Sequence, residues 1–183
     1  MDERELLERI RRGEEDAFDA MFRLHYPPLV GLAEGMLRSR AVAEEVVQDV
    51  MLELWRRREA LAVEESLRAY LFRATRNRAL NHLRHDRVER RGEPHLVGEV
   101  ADQPAAPSVL VEEEIEVALR AAVSELPDRC REVFELSRVH GLRYAEIASA
   151  LGISVKTVEA QMGKALRILR DRLAPWLPGG GDP

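Results

Sequence analysis

The chain has 183 residues, 45% of them hydrophobic and one third charged, with 28 Lys and Arg against 33 Asp and Glu. That composition excludes wholesale disorder, and the length suits one domain or two small ones. The single cysteine, Cys130, excludes an internal disulfide and a cysteine zinc cluster, and no run of about 18 apolar residues is present to span a membrane.

In chain order, the opening stretch MDERELLERIRRGEED is charged throughout, so no secretory leader is predicted and a cytoplasmic protein is expected. Apolar residues recur three and four apart through most of the first 90 residues and again from about Val109 to Leu173. Strand-like alternation is lacking, so the expected class is all-α, two small helical domains joined by a flexible linker. From Ala43 to Arg57 the sequence AEEVVQDVMLELWRR predicts a helix burying Val46, Val47, Val50, Met51 and Leu54. Glu45, Gln48, Asp49 and Leu52 share its opposite face. An acidic face with an exposed leucine fits an ordinary surface or the dock of a basic partner helix.

Ser66 begins a long helix whose stem is expected to pack Tyr70, Leu71 and Ala74. Arg73, Asn77, Asn81 and Arg84 then fall on one stripe, flanked by Arg76 and Arg87. Arginines neutralise phosphates and asparagines bond base edges. Two enzyme readings fail on ligand count. His82, His85 and Asp86 lack further ligands from other helices, the remaining histidines being His25, His95 and His140. Glu44, Glu45, Asp49 and Glu53 lack the Glu-x-x-His pair of a di-iron bundle. No cofactor and no metal is expected. Residues 92–110 hold three prolines and two glycines without apolar periodicity and are read as a linker.

Beyond it, VSELPDRCREVFELSRVHG predicts a helix with Pro127 in its first turn, Val133, Phe134 and Leu136 toward a core, and Cys130 packed or half exposed. Tyr144 to Leu151 predicts a short helix with Ile147, Ala148 and Leu151 on one face. Gly152 suits a left-handed cap, and Ser154 an N-cap of the next helix. There Val155, Val158, Met162, Ala165, Leu166 and Leu169 form the apolar stripe. Lys156, Thr157, Glu159, Ala160, Gln161, Lys164 and Arg167 form the exposed face. This spacing is what a helix-turn-helix requires, with Ala148 small where two helices cross closely. Glu159 can accept from cytosine N4, and Gln161 can bond adenine. Residues 175–183 are expected to fray.

Net charge hides a segregation. From Arg73 to Arg91 seven arginines oppose Asp86 and Glu89; from Glu93 to Ala118 seven acids stand without Lys or Arg; from Ser154 to Leu173 five basic residues oppose Glu159 and Asp171. The bland reading of each run is a solvated helix face. Two basic segments on separate helical domains favour nucleic acid.

The ordered set AEEVVQDVMLELW, YLFRATRNRALNHLR, ELPDRCREVFEL and SVKTVEAQMGKAL resembles the sigma-70 family of bacterial transcription initiation factors, in its small extracytoplasmic-function group. The resemblance implies sigma domain 2 over 1–91, a linker over 92–110, sigma domain 4 over 111–174 and a disordered tail over 175–183. It implies a non-enzymatic factor that binds core RNA polymerase through the β′ coiled coil and the β flap and reads promoter DNA. Glu45, Gln48 and Asp49, with Leu52 beside them, match the β′-binding positions. Arg76 and Asn77 match the family's Arg-Asn pair at the −10 element, and Arg73, Asn81, Arg84 and Arg87 lie with them. Asn81 stands where many members have Asp. Residues 59–65 match the loop that captures a flipped base, here without an aromatic stacker. In the −35 helix Glu159 stands where many members have Arg. Members are commonly held by an anti-sigma factor. The alternative reading is a two-domain helix-turn-helix regulator that works without polymerase.

Overall fold

The computed structural model describes residues 3–63, 66–90 and 110–176, with the side chains of 88–90 and 110–113 left out. Residues 93–109 of the acidic run, most of the predicted linker, residues 64 and 65 of the base-capture loop, and the tail beyond Trp176 lie outside the described residues. Among those described, every regular element is helical: α1 Glu3–Arg11, α2 Glu15–Leu37, α3 Arg40–Arg56, α4 Leu67–Arg90, α5 Leu110–Ser124, α6 Asp128–Arg138, α7 Tyr144–Leu151 and α8 Val155–Leu173. Short 3₁₀ turns cover Arg58–Ala60 and Ala174–Trp176. The described residues divide between two compact units, one drawn from Met1–His95 and Ala145–Ile153, the other from Leu96–Tyr144 and Ser154–Pro183.

In the first unit α2 packs against both α3 and α4, α3 against α4, and α1 against α2. The α2 helix carries Pro27 and Pro28 in its interior, which removes two backbone donors. Its cohesion comes from burial: Ala17, Met21, His25, Leu29 and Ala33, each four residues from the last, form a continuous inward stripe. In α3 the expected residues Val46, Val47, Val50, Met51 and Leu54 are all buried. The α4 stem differs from expectation. Leu67, Ala69, Leu71, Phe72, Thr75 and Ala79 are buried, whereas Tyr70 and Ala74 are only half-buried. Two helices pack on α4 rather than one, so its buried arc is wider than a single-sided stripe and centred on Phe72.

The α1 helix braces the region where α4 begins. Glu3 Oε1 accepts from the backbone N–H groups of Leu67 and Arg68, giving α4 an acidic cap from outside its own segment. Ser66 Oγ accepts from Ala69 N at 3.0 Å and donates to the buried Glu146 carboxylate at 3.0 Å within the same unit. Arg11 donates to the carbonyl of Leu61, a buried residue of the loop leading to α4.

In the second unit α8 packs against α5 and α6. Ala122, Leu126, Cys130, Ala165 and Leu169 form a buried cluster flanked by Val123, Phe134, Ile168 and Leu173. The predicted helix from Val123 is in fact two: α5 ends at Ser124, and α6 starts at Asp128 behind Pro127, whose fixed φ suits the entry to a helix. Cys130 is wholly buried.

Candidate nucleic-acid interface

Local chemistry fixes the turn between α7 and α8. Gly152 has φ +65°, the left-handed conformation that ends a helix without steric cost to glycine. Ile153 N then reaches the Ala148 carbonyl at 3.0 Å, and Ser154 Oγ accepts from Thr157 N at 3.1 Å. Both expected caps are present. Ile147 and Ala148 are buried as expected, while Leu151 is half-buried.

The exposed face of α8 carries Lys156, Thr157, Glu159, Ala160, Lys164 and Arg167. Val158, Met162, Ala165 and Leu169 are its buried stripe. Val155 and Leu166, expected inward, are 42% and 39% exposed, because the buried arc of α8 is narrow and they stand at its edges. Gln161, expected outward, is half-buried, with its Oε1 accepting from Cys130 Sγ at 3.0 Å. The Thr157 hydroxyl lies 2.8 Å from Ser154 Oγ, so this side chain also serves the helix cap. Lys156 stands in the first turn, where unpaired N–H groups and the helix dipole favour a phosphate.

On α4, Arg73, Asn77, Asn81, Arg84 and Arg87 are all exposed, and Arg76 is half-buried and engaged within the fold. Arg84 Nη1 donates to Asn81 Oδ1 at 3.3 Å. The stripe is therefore a continuous solvent-facing row of guanidinium and amide groups. His82 Nδ1 and Asp86 Oδ2 stand 3.6 Å apart along the same helix. Among the described residues no group of three His, Cys, Asp or Glu is placed to hold a metal ion.

On α3, Glu45, Gln48 and Leu52 are exposed, Leu52 at 50%. Two contacts that no local spacing reveals hold this face. Arg78 of α4 reaches Asp49 Oδ2 at 2.6 Å. Gln48 Nε2 donates to Tyr26 Oη of α2 at 3.4 Å. Tyr26 ends a row of rings: Trp55 and Phe18 at 4.9 Å, Phe18 and Phe22 at 6.4 Å, Phe22 and Tyr26 stacked at 4.6 Å. Neither Arg78 nor Tyr26 stood out in the sequence, since their partners lie 29 and 22 residues away.

Two family patterns match this chain: Sigma-70 region 2 over residues 21–88 and Sigma-70, region 4 over residues 116–169. A curated relative, the ECF RNA polymerase sigma factor SigK of Mycobacterium ulcerans, is 34% identical over 174 residues, covering 92% of this chain and 91% of its own. The chain belongs to the ECF RNA polymerase sigma factors. Another relative, the RNA polymerase sigma factor CnrH of Cupriavidus metallidurans, is 29% identical over 161 residues, 84% of each chain. The solved structure of CnrH in complex with the cytosolic domain of CnrY superposes with a TM-score of 0.66 at 25% identity, covering 94% of this chain and 97% of that one. The fold is shared as well with the sigma factor RpoE of Bartonella quintana, solved with the anti-sigma factor NepR, at a TM-score of 0.64, 24% identity and 85% and 96% coverage. The protein is thus a transcription initiation factor. A polymerase-independent regulator is not favoured, because α2, α3 and α4 match sigma region 2 rather than a sensing or dimerising domain. The region 2 match starts inside α2, so α1 lies outside it.

Proposed function

We propose that this sigma factor docks on core RNA polymerase through Glu45, Gln48, Asp49 and Leu52 of α3, the acidic and leucine face suited to the β′ coiled coil. The second unit engages the β flap. The α4 stripe of Arg73, Arg76, Asn77, Asn81, Arg84 and Arg87 reads and helps open the −10 element. Guanidinium groups hold the phosphates, and the amides of Asn77 and Asn81 bond base edges. Extruding a base costs roughly a few kcal/mol, offset by a pocket and by polymerase contacts. The N-terminal turns of α8 enter the −35 major groove, Lys156 and Lys164 against phosphates and Glu159 accepting from a base amine.

The observation that carries the reading is the exposed row Arg73, Asn77, Asn81 and Arg84 on the helix whose Arg78 also holds Asp49. It supports the reading because the guanidinium and amide row of α4 and the acidic face of α3 belong to adjacent helices of one unit. The acidic residues of 93–118 act as a nucleic-acid mimic in a basic channel of the polymerase. The factor performs no catalysis of its own, uses no cofactor, works in the cytoplasm, and is held by an anti-sigma factor, as the sigma factor RpoE of Bartonella quintana is in its complex with NepR.

In vitro transcription with core polymerase on a promoter library tests this. Defined −10 and −35 sequences are expected to emerge, and Asp49→Ala is expected to lower output across the library. Absence of any polymerase-dependent initiation would overturn the reading.

A further inference from the structure

Gln161 sits on the outward stripe of α8 formed with Thr157 and Lys164, at spacings of four and three residues. The same position borders the buried Val158, Met162 and Ala165, which is why it is half-buried. Its amide oxygen is taken: Cys130 of α6, wholly buried in the core cluster, donates its thiol proton to Oε1 at 3.0 Å. Glutamine reads adenine through a bidentate pair in which the oxygen accepts from N6 and the nitrogen donates to N7. With the oxygen turned inward to the thiol, the group left to face a groove is the Nε2 amine, which only donates.

We propose that Cys130 is a specificity-positioning residue of the −35 reading surface. By holding Oε1 inward it presents Gln161 as a pure donor. Such a group favours guanine, whose O6 and N7 both accept, over adenine, which sets a donor beside its one acceptor. The inference rests on the reading of α8 as the −35 helix. It converts a buried cysteine from a packing residue into one that selects a base it never touches.

The test is in vitro transcription by the holoenzyme on a promoter library randomised through the −35 element, read by sequencing the transcribed templates. Wild type is expected to prefer guanine over adenine at one −35 position. Cys130→Ala frees the amide to turn and is expected to move the guanine-to-adenine ratio there about tenfold toward adenine, the size of one good base contact. The other positions are expected to keep their preferences. Cys130→Ser retains a donor at the same place and is expected to keep the wild-type ratio. Gln161→Leu is expected to erase the preference at that position alone and keeps the test valid if Cys130→Ala folds poorly. A Cys130→Ala profile identical to wild type, or an equal loss of output for every base, would overturn the proposal. So would a Gln161→Leu variant with an unchanged profile. If wild-type output does not depend on the −35 sequence at all, the reading of α8 itself fails; if that dependence stands while the two variants behave as wild type, only this inference does.

Discussion

At the scale of single residues, the buried polar groups of the first unit differ in whether they find a partner. Thr75 is wholly buried on α4, and its hydroxyl has no hydrogen-bond partner. A buried hydroxyl without a partner costs stability, so Thr75→Val is expected to stabilise the fold by about 1 kcal/mol in urea melts. Arg78 and Asp49 are each nearly half exposed, and such surface pairs contribute about 0–1 kcal/mol. Arg78→Ala is therefore expected to shift the thermal midpoint little. It releases the Asp49 carboxylate, however, and binding assays with core polymerase are expected to show a several-fold weaker complex. His25 gives a pH signature. Burial holds its pKa below the ordinary 6.5, the neighbouring Arg68 guanidinium adds to this, and Glu3 and Glu146 act in the opposite direction. The unfolded chain takes up a proton below pH 6.5 that the folded one refuses, so this contribution to stability is full above pH 6.5 and is lost as pH falls. Denaturant midpoints measured from pH 7.5 to 5 are expected to decline, and those of His25→Leu to decline less.

At the scale of elements, legibility depended on whether the deciding contact was local. The turn before α8 was legible because Gly152 and Ser154 act through their own backbone and their own next turn. At Gly152 an added Cβ would meet nothing within 4 Å, so only the positive φ penalises a side chain. Gly152→Ala is expected to destabilise the fold by about 1 kcal/mol without a packing defect, measurable by thermal melting. The buried face of α3 was legible for the same reason, since its apolar positions keep helical spacing. By contrast, nothing local marks how α2 runs through Pro27 and Pro28, which remove two backbone donors; the inward stripe from Ala17 to Ala33 accounts for it. The shifted core of α4, the bracing by Glu3 and Arg11, and the Cys130–Gln161 bond all depend on segments far apart in sequence. No periodicity within one segment announces them. Spacing alone reveals the exposed arginine and asparagine row of α4, whereas the role of Arg78 on the same helix depends on a partner in α3.

At the scale of the whole molecule, a formal charge of −5 coexists with two basic helices. Sequence-independent affinity for DNA grows with the number of phosphates neutralised, and the dependence of log K on log salt has a slope near −0.9 per phosphate. A chain with one basic row on α4 and another on α8 is expected to bind free promoter duplex weakly at physiological salt and far more tightly with core polymerase. Fluorescence anisotropy at several salt concentrations checks this; equal affinities with and without polymerase would contradict it. In the holoenzyme, Lys164→Ala is expected to reduce the salt slope by about one without altering base preference.

The aromatic row of the first unit has a practical consequence. Trp55 lies at one end, with the Arg58 guanidinium 4.6 Å from its ring, and Tyr26 lies at the other, in contact with Gln48. A binding event that pulls Gln48 from Tyr26 disturbs a column of rings ending in the brightest natural fluorophore of the protein. The second tryptophan, Trp176, sits 44% exposed in the 3₁₀ turn after α8, and exchanging it for phenylalanine leaves Trp55 as the sole tryptophan. The unit thus carries its own optical reporter of whatever docks on α3, readable in a cuvette without a label.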